Sequence, residues 1–431
     1  MSTSSTANHL SATDILIVGA GPAGATASLF LAQAQIPHTL IDKAIFPREK
    51  ADGNVYGVKV IEILNRLDPS YFSELITQTD QVLGCTTAQV FTPNDKSFNL
   101  RFPQYASDRT DNQASAEEYE SKDVPFFTMN RRHFDHFLVS KLNQNYVDQR
   151  FNTAITALER QPHQWHVTLE TAGQIIHLHP KLVIAADGAN STVLQKLGLR
   201  QPVERYYDSV QGYFRGIKGF ETTNHQLSVS ERVQYVSHIE AHFLPQSNPG
   251  FFFITPLAND IFSVGVGKPR RDQQAEQLDL PQLLQEVMNN HPQLAANFVK
   301  AEPVSDLRPW PVMVGVPGQI SVSGEGYLIT GDAAGLCHPL TCFGTGNAMI
   351  SGLLAAEQAK QCITQQCFDA AALKAYDRAL YKRFQKEFQV GNILKRFTKR
   401  DWLFNWVTNS HQVQSLLRKR LKGTSAALKK L

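Results

Sequence analysis

The clearest change of hydrophobic period falls near the start of the chain. Ile15-Leu16-Ile17-Val18 is a continuous apolar run of strand length, and it leads directly into Gly19-Ala20-Gly21-Pro22-Ala23-Gly24. Ala25 to Ala34 follows as an alanine-rich helical segment, and His38-Thr39-Leu40-Ile41 is a second apolar run that closes on Asp42. The order predicts strand, glycine turn, helix, strand. The same pattern returns twice. Leu182-Val183-Ile184-Ala185-Ala186 ends in Asp187-Gly188, and Tyr327-Leu328-Ile329-Thr330 ends in Gly331-Asp332. After Gly344-Thr345-Gly346 a long helix is expected from Asn347 to Gln361.

Helical spacing also marks Val60, Ile61, Leu64 and Leu67, and again Phe134, Phe137, Leu138 and Leu142. Residues 84 to 102 alternate as paired strands about Pro93-Asn94-Asp95, and residues 150 to 184 alternate about an Ala-Gly turn. From Tyr206 to Lys268 the pattern is mostly β, as in a larger antiparallel sheet. There Phe251-Phe252-Phe253 puts aromatic side chains on both faces of one strand. One face is expected to be core and the other to line an apolar pocket. Leu280 to Lys300 reads as a helix split near Pro292.

At 431 residues the chain exceeds one typical core, so two or three units are expected. Its 42% hydrophobic and 19% charged content is that of a globular protein. The net charge of +3 gives no case for nucleic acid. Five cysteines without a CxxC pair fit free thiols in a reducing, cytoplasmic setting. Cys337 and Cys342 lack a matching His/Cys pair, so no metal is expected. No apolar run approaches bilayer length.

Two polar stretches interrupt the pattern. Gln104 to Asp123 is acidic and reads as a mobile insertion or a lid. Leu380 to Leu431 carries thirteen basic residues against two acidic ones, with Trp402, Leu403, Phe404 and Trp406 among them. Packing of these aromatics onto the body is the ordinary reading, and peripheral contact with a membrane is the alternative.

The chemistry implied by the first turn is nucleotide binding. Gly19, Gly21 and Gly24 allow a tight turn, close approach of a pyrophosphate and close helix–strand packing. Ala23 sits at the helix start, whose free N–H groups favour phosphate. Asp42 stands where an acid accepts from ribose hydroxyls. Arg48, in the loop Phe46-Pro47-Arg48-Glu49-Lys50, is within reach of a phosphate, and Asp52 faces the reactive end of a cofactor; a solvated charged loop is the plain alternative. Asp187, at the carboxyl end of a strand, is a further ligand candidate.

Gly19-x-Gly21-x-x-Gly24, Asp187-Gly188 and Gly331-Asp332, in this order, resemble the three fingerprints of flavoproteins built like para-hydroxybenzoate hydroxylase. The resemblance implies an α/β (mixed α+β) fold: a Rossmann-like FAD-binding domain, an inserted mainly antiparallel β substrate domain and a helical C-terminal tail. Residues 12–75, 125–200 and 305–362 would form the FAD domain, 76–124 and 201–304 the substrate domain, and 363–431 a basic helical region. Gly331 and Asp332 would hold the ribityl chain, and the helix after Gly344, Gly346 and Asn347 would point toward the isoalloxazine. Arg131, in Arg-x-x-Phe-Asp, matches an arginine found near FAD, and Asp187-Gly188 is associated with FAD and with transient NAD(P)H.

Within this superfamily the chain looks most like the geranylgeranyl reductases. The Phe46-Pro47-Arg48 loop, Gly331 to Gly335 with Pro339-Leu340-Thr341, Ala348 to Gly352, and Phe251-x-Phe253-x-Thr255-Pro256 with Gly265-x-Gly267 carry that likeness. Departures cluster where substrate would meet flavin. Asp52-Gly53 stands for Cys-Gly, and Cys342-Phe343 for a glycine and an acid. Phe251, Phe253, Pro339 and Phe343 are the expected substrate pocket, and Asp52 the expected proton donor. The expected function is flavin-mediated reduction of an apolar or aromatic small molecule. A hydroxylase using NAD(P)H and oxygen, and a flavoprotein that matures another polypeptide, are the alternatives. A halogenase is disfavoured because no Trp-x-Trp-x-Ile-Pro segment is present. There is no second GxGxxG, so NAD(P)H would visit transiently or another protein would reduce the flavin.

Overall fold

The computed structural model describes residues 13–50, 53–94, 96–101, 126–199, 202–220, 237–245, 247–248, 250–315 and 321–398. Asp52, the acidic stretch 104–123 and the Trp402–Trp406 segment lie outside these residues.

The apolar runs of the sequence become a core sheet that is parallel except for one short edge strand, Ser323–Gly324. Its strand order is Ser323–Gly324, Tyr327–Ile329, Leu182–Ala185, Ile15–Val18, His38–Ile41, Val147–Arg150. The strand Ile15–Val18 lies between Leu182–Ala185 and His38–Ile41, parallel to both, and all four of its residues are buried. A strand buried on both faces needs apolar residues at every position, which is why the run does not alternate. Helix Pro22–Gln33 packs against the longer helix Thr345–Gln365. Gly352 makes this contact possible: a Cβ there would lie 2.3 Å from the carbonyl oxygen of Ala23.

A second, larger sheet is mainly antiparallel. Its path runs Glu302–Pro303, Tyr206–Arg215, Ile261–Pro269, Phe251–Leu257, Ser237–His242, Leu83–Phe91, Phe126–Thr128, Val55–Gly57. One face builds a separate core in which Val210, Phe252, Ile254 and Val264 meet Leu283, Leu284 and Val287 of helix Leu280–Asn290. A separate three-stranded antiparallel sheet, Thr153–Arg160, Trp165–Thr171 and Gln174–Leu178, packs Trp165, Val167 and Leu169 into the core of the parallel sheet.

Two expected boundaries need correction. The division at residue 362 falls inside helix Thr345–Gln365, and the next helix, Ala370–Thr398, is no appendage. Its Leu373, Tyr376, Leu380, Phe384 and Phe388 are buried in the core of the parallel sheet. The Tyr376 hydroxyl donates to the carbonyl of Ile329 at 2.8 Å. The strands Val55–Gly57 and Phe126–Thr128, expected with the first domain, join the large sheet instead. Extended backbone groups must find partners, and the open sheet edge supplies them.

Candidate functional site

Four stretches that are distant in sequence meet around the start of helix Pro22–Gln33. The position of a Cβ on Gly24 would be 1.8 Å from the Gly19 carbonyl oxygen and 3.1 Å from Ala186 Cβ. On Gly19, which has φ +100°, it would strike the Ala186 carbonyl oxygen at 2.5 Å. On Gly331 it would meet Ala23 Cβ at 3.0 Å and Ala348 Cβ at 3.5 Å. Side chains at these positions would push the stretches apart, so the glycines are required by packing. Gly21 differs, because among the described residues a Cβ there would meet only Arg48 Nη2, at 3.5 Å. It opens outward beside a helix N-terminus that no side chain caps. That opening, with free N–H donors, has the character of a pyrophosphate seat.

Arg48 borders the seat. Its Nη2 pairs with Asp135 Oδ2 at 3.3 Å, and its Nε lies 4.0 Å from Asp42 Oδ2. Nε is buried without a hydrogen-bond partner among the described residues. A buried guanidinium N–H of this kind is costly unless a ligand oxygen meets it. Both Gly21 and Arg48 therefore fit FAD.

Asp42 is 8% exposed and does more than the sequence implies. Its Oδ2 accepts from the Ala20 N–H and its Oδ1 from the Ala44 N–H, both at 2.8 Å. The carboxylate thus ties the glycine turn to the strand end while keeping lone pairs for a ribose. Arg131 is also turned inward. It is 2% exposed, and its Nε and Nη2 grip Asp135 Oδ1 and Oδ2, each at 3.0 Å. Arg131 orients Asp135, and Asp135 holds Arg48.

Asp187 is committed to local structure. It accepts from the Ser191 hydroxyl at 2.5 Å and from the Val193 N–H at 3.1 Å, which fastens the start of helix Thr192–Lys196. Burial pushes its carboxyl above the ordinary value against those bonds. Gly188, with φ +81°, has open space where a Cβ would be. At this motif the backbone beside Gly188 is the open element, and the acid is a cap.

The far end of the site is built on helix Thr345–Gln365, whose N-cap Gly344 offers no side-chain acceptor. A Cβ on Gly344 would lie 3.2 Å from Asp332 Oδ1, which places that acid against the helix start. Asn347 donates to the Leu336 carbonyl at 2.9 Å and accepts from Lys59 Nζ at 2.8 Å. His338 and Pro339 are covered by the last described helix, since a Cβ on Gly391 would lie 2.8 Å from His338 Cε1 and 3.3 Å from Pro339 Cδ. Burial lowers the His338 pKa to about 4, so the imidazole is neutral at neutral pH. Its Nδ1 accepts from the Leu340 and Thr341 N–H groups. Phe343 is 39% exposed.

Phe251 and Phe253 stand on the large sheet, on the face opposite the buried Phe252. The registers give one row across six strands: Gln211, Gly265, Phe253, Ala241, Val90, Phe98. This face meets the 337–343 loop, because Tyr207 packs with Cys337 and Cys342. Sequence reading missed Lys59, Asp135, Arg205 and Glu387. A Cβ on Gly335 would lie 2.3 Å from Arg205 Nη2. Asp135 closes the Arg-x-x-Phe-Asp motif, where Arg131 alone drew attention; the other three stand in no motif, and only long-range contacts reveal them.

The sequence profile of the FAD binding domain family matches residues 12–352. The chain belongs to that family. It is an FAD-dependent oxidoreductase, and no described helix is long and apolar enough to cross a membrane. It is 25% identical over 408 residues to digeranylgeranylglycerophospholipid reductase 2 of Methanopyrus kandleri, covering 92% of this chain and 87% of that one. It is 23% identical over 376 residues to the 1H-pyrrole-2-carbonyl-[peptidyl-carrier protein] chlorinase of Pseudomonas fluorescens, covering 84% and 79%. Its fold is similar to that of a geranylgeranyl bacteriochlorophyll reductase-like protein from Thermoplasma acidophilum. That match has a TM-score of 0.73 at 18% identity and covers 91% of this chain and 90% of the other.

Proposed function

We propose that this flavoprotein reduces a carbon–carbon double bond in an apolar, prenyl-type substrate. The observation that carries the reading is the row Gln211, Gly265, Phe253, Ala241, Val90, Phe98, which holds no charged side chain and faces the side of the flavin loop. A wall of this kind binds hydrocarbon and excludes water from it. Bound FAD supplies the hydride equivalent. The residues of the chain hold the cofactor at Gly21 and Arg48, orient the hydrocarbon on Phe251 and Phe253, and close the site with the 337–343 loop. We assign the proton for the second carbon to Asp52.

The relatives named as reductases of a geranylgeranyl lipid support this class of substrate. A substrate carried in a lipid would also give the basic segment beyond residue 398 a membrane surface to meet. Oxygen-dependent chemistry is the second reading, and the similarity to a chlorinase favours it. Anaerobic mixing of the yellow protein with NADPH, then with a geranylgeranyl lipid, separates them. Bleaching followed by recovery of colour without oxygen supports reduction. Recovery that requires oxygen, with a hydroxylated or halogenated product, supports the second reading. No bleaching with any small reductant points to electron delivery by a partner protein.

A further inference from the structure

Lys59 lies at the start of helix Val58–Leu67, against the first turn of helix Thr345–Gln365. Its Nζ donates to Asn347 Oδ1 at 2.8 Å and to Glu387 Oε1 and Oε2 at 2.7 and 2.8 Å. Three acceptors at these distances need three N–H donors, and only the ammonium form has three. Burial pulls the Lys59 pKa down, but Glu387 opposes this, and Glu387 is itself held below the ordinary carboxylate value chiefly by Lys59, against its own burial. We take the pair as ionised for that reason. The geometry is fixed from every side. The Asn347 amide is oriented by its bond to the Leu336 carbonyl, and a Cβ on Gly346 would lie 2.7 Å from Lys59 Cβ. Arg383 stands 3.9 Å from Glu387, Glu62 lies on the same helix as Lys59, and the neutral His338 faces the pair.

This cation sits at the start of helix Thr345–Gln365, which no side chain caps and which packs on helix Pro22–Gln33, whose start is also uncapped, with Gly331 wedged between Ala23 and Ala348. The helix start at Gly21 suits the pyrophosphate, and the start at Gly344 with Lys59 beside it would offer positive potential to the ring end of a bound FAD. Reduction by two electrons with uptake of one proton adds one negative charge to the flavin, so a fixed cation nearby favours the reduced form.

We propose that Lys59, held by Asn347 and by Glu387 of the Ala370–Thr398 helix, is a positioning charge that sets the reduction potential of the bound FAD. This helix, outside the matched family region, then completes the flavin site. The inference rests on FAD binding and is independent of the substrate.

The test is the reduction potential of FAD bound to the full-length protein and its variants. Lys59→Gln is expected to lower the equilibrium constant for reduction about tenfold, which is ~30 mV for two electrons. Glu387→Gln removes the opposing charge and is expected to raise the potential. Opposite signs are what a charge predicts. A purely structural tie would loosen FAD in both variants and move both potentials together, or neither, and that result overturns the proposal. Lys59→Arg keeps the charge and is expected to hold the potential of the unaltered protein; a shift as large as that of Lys59→Gln also overturns it. If Lys59→Gln does not fold, Glu387→Gln decides when its potential is followed with falling pH until Lys59 holds its proton without Glu387, because a potential still unchanged or lowered there contradicts the charge.

Discussion

The ring of Phe253 occupies the space that a side chain on Gly265 would need: its Cζ lies 2.4 Å from where a Cβ would stand. The two residues are direct partners in adjacent antiparallel strands. A glycine in the middle of a strand is unfavourable by itself, and here it leaves a flat bed for an aromatic ring on the open face of the sheet. Gly265→Ala would also press on the Val210 carbonyl oxygen, 2.7 Å from that Cβ position. It is expected to cost about 1–3 kcal/mol of stability and to displace Phe253. Phe253→Ala is expected to keep FAD and to raise KM for an apolar substrate about tenfold or more. Steady-state kinetics together with visible absorption checks both.

Gly21 and Gly24 make a second, contrasting pair. Valine at position 21 enters open space beside Arg48, so Gly21→Val is expected to fold normally and to lose FAD, because the pyrophosphate is excluded. Alanine at position 24 meets the Gly19 carbonyl at 1.8 Å, so Gly24→Ala is expected to disrupt the turn and lower the melting temperature of the apoprotein. Apoprotein melting curves and FAD titrations check the pair. A yellow Gly21→Val protein would remove the pyrophosphate from this loop.

The histidines predict how stability depends on pH. His38 is fully buried, donates to the Ile36 carbonyl through Nδ1, and accepts the Ser28 hydroxyl at Nε2. Burial lowers its pKa from 6.5 to about 4, and the same holds for His338. As pH falls below 6.5 the unfolded chain takes up these protons first. Stability is therefore unaffected by these groups above about 6.5 and falls between 6.5 and 4. For His38 the loss approaches about 3 kcal/mol. Glu240 acts in a lower window. His238 and His242 hold it near 2 despite burial, so its contribution is present above 4.5 and lost toward pH 2. Denaturant midpoints measured across this range are expected to drop first between 6.5 and 4, and a flat profile there would contradict the buried neutral histidines.

Asp52→Asn is expected to leave FAD bound and the reduction potential nearly unchanged while slowing turnover about a hundredfold or more, in line with loss of a general acid. Rapid-reaction measurement of the substrate step checks this. Unchanged turnover would assign the proton elsewhere.

The local parts of the fold were legible in the sequence, and for a physical reason. A strand buried on both faces, a glycine turn and a helix start are each encoded within a dozen residues, so Ile15 to Asp42 reads directly. The alternation in Phe251-Phe252-Phe253 divides the rings between two faces, and only the structure shows that Phe252 is the one in the core. What could not be read is which partner each polar side chain takes, whether near or far in the chain. Asp187, a ligand candidate in the sequence, also fastens a helix start by accepting from Ser191 and Val193, which its strand-end position does not announce. Arg131 grips Asp135, and Asp135 then holds Arg48, a chain of contacts that the motif alone does not report. The helix that carries Glu387 reads as part of a basic tail, because its apolar stripe is hidden among lysines and arginines. Its partner Lys59 lies 328 residues earlier.

The most direct test of the account starts from the anaerobically reduced protein. It is mixed with a geranylgeranyl lipid in detergent and followed by flavin absorption and product mass. The expected result is return of the oxidised flavin spectrum without oxygen, with gain of two hydrogens for each double bond reduced. A flavin that stays reduced with every prenyl substrate, and is oxidised only when oxygen enters, would contradict it.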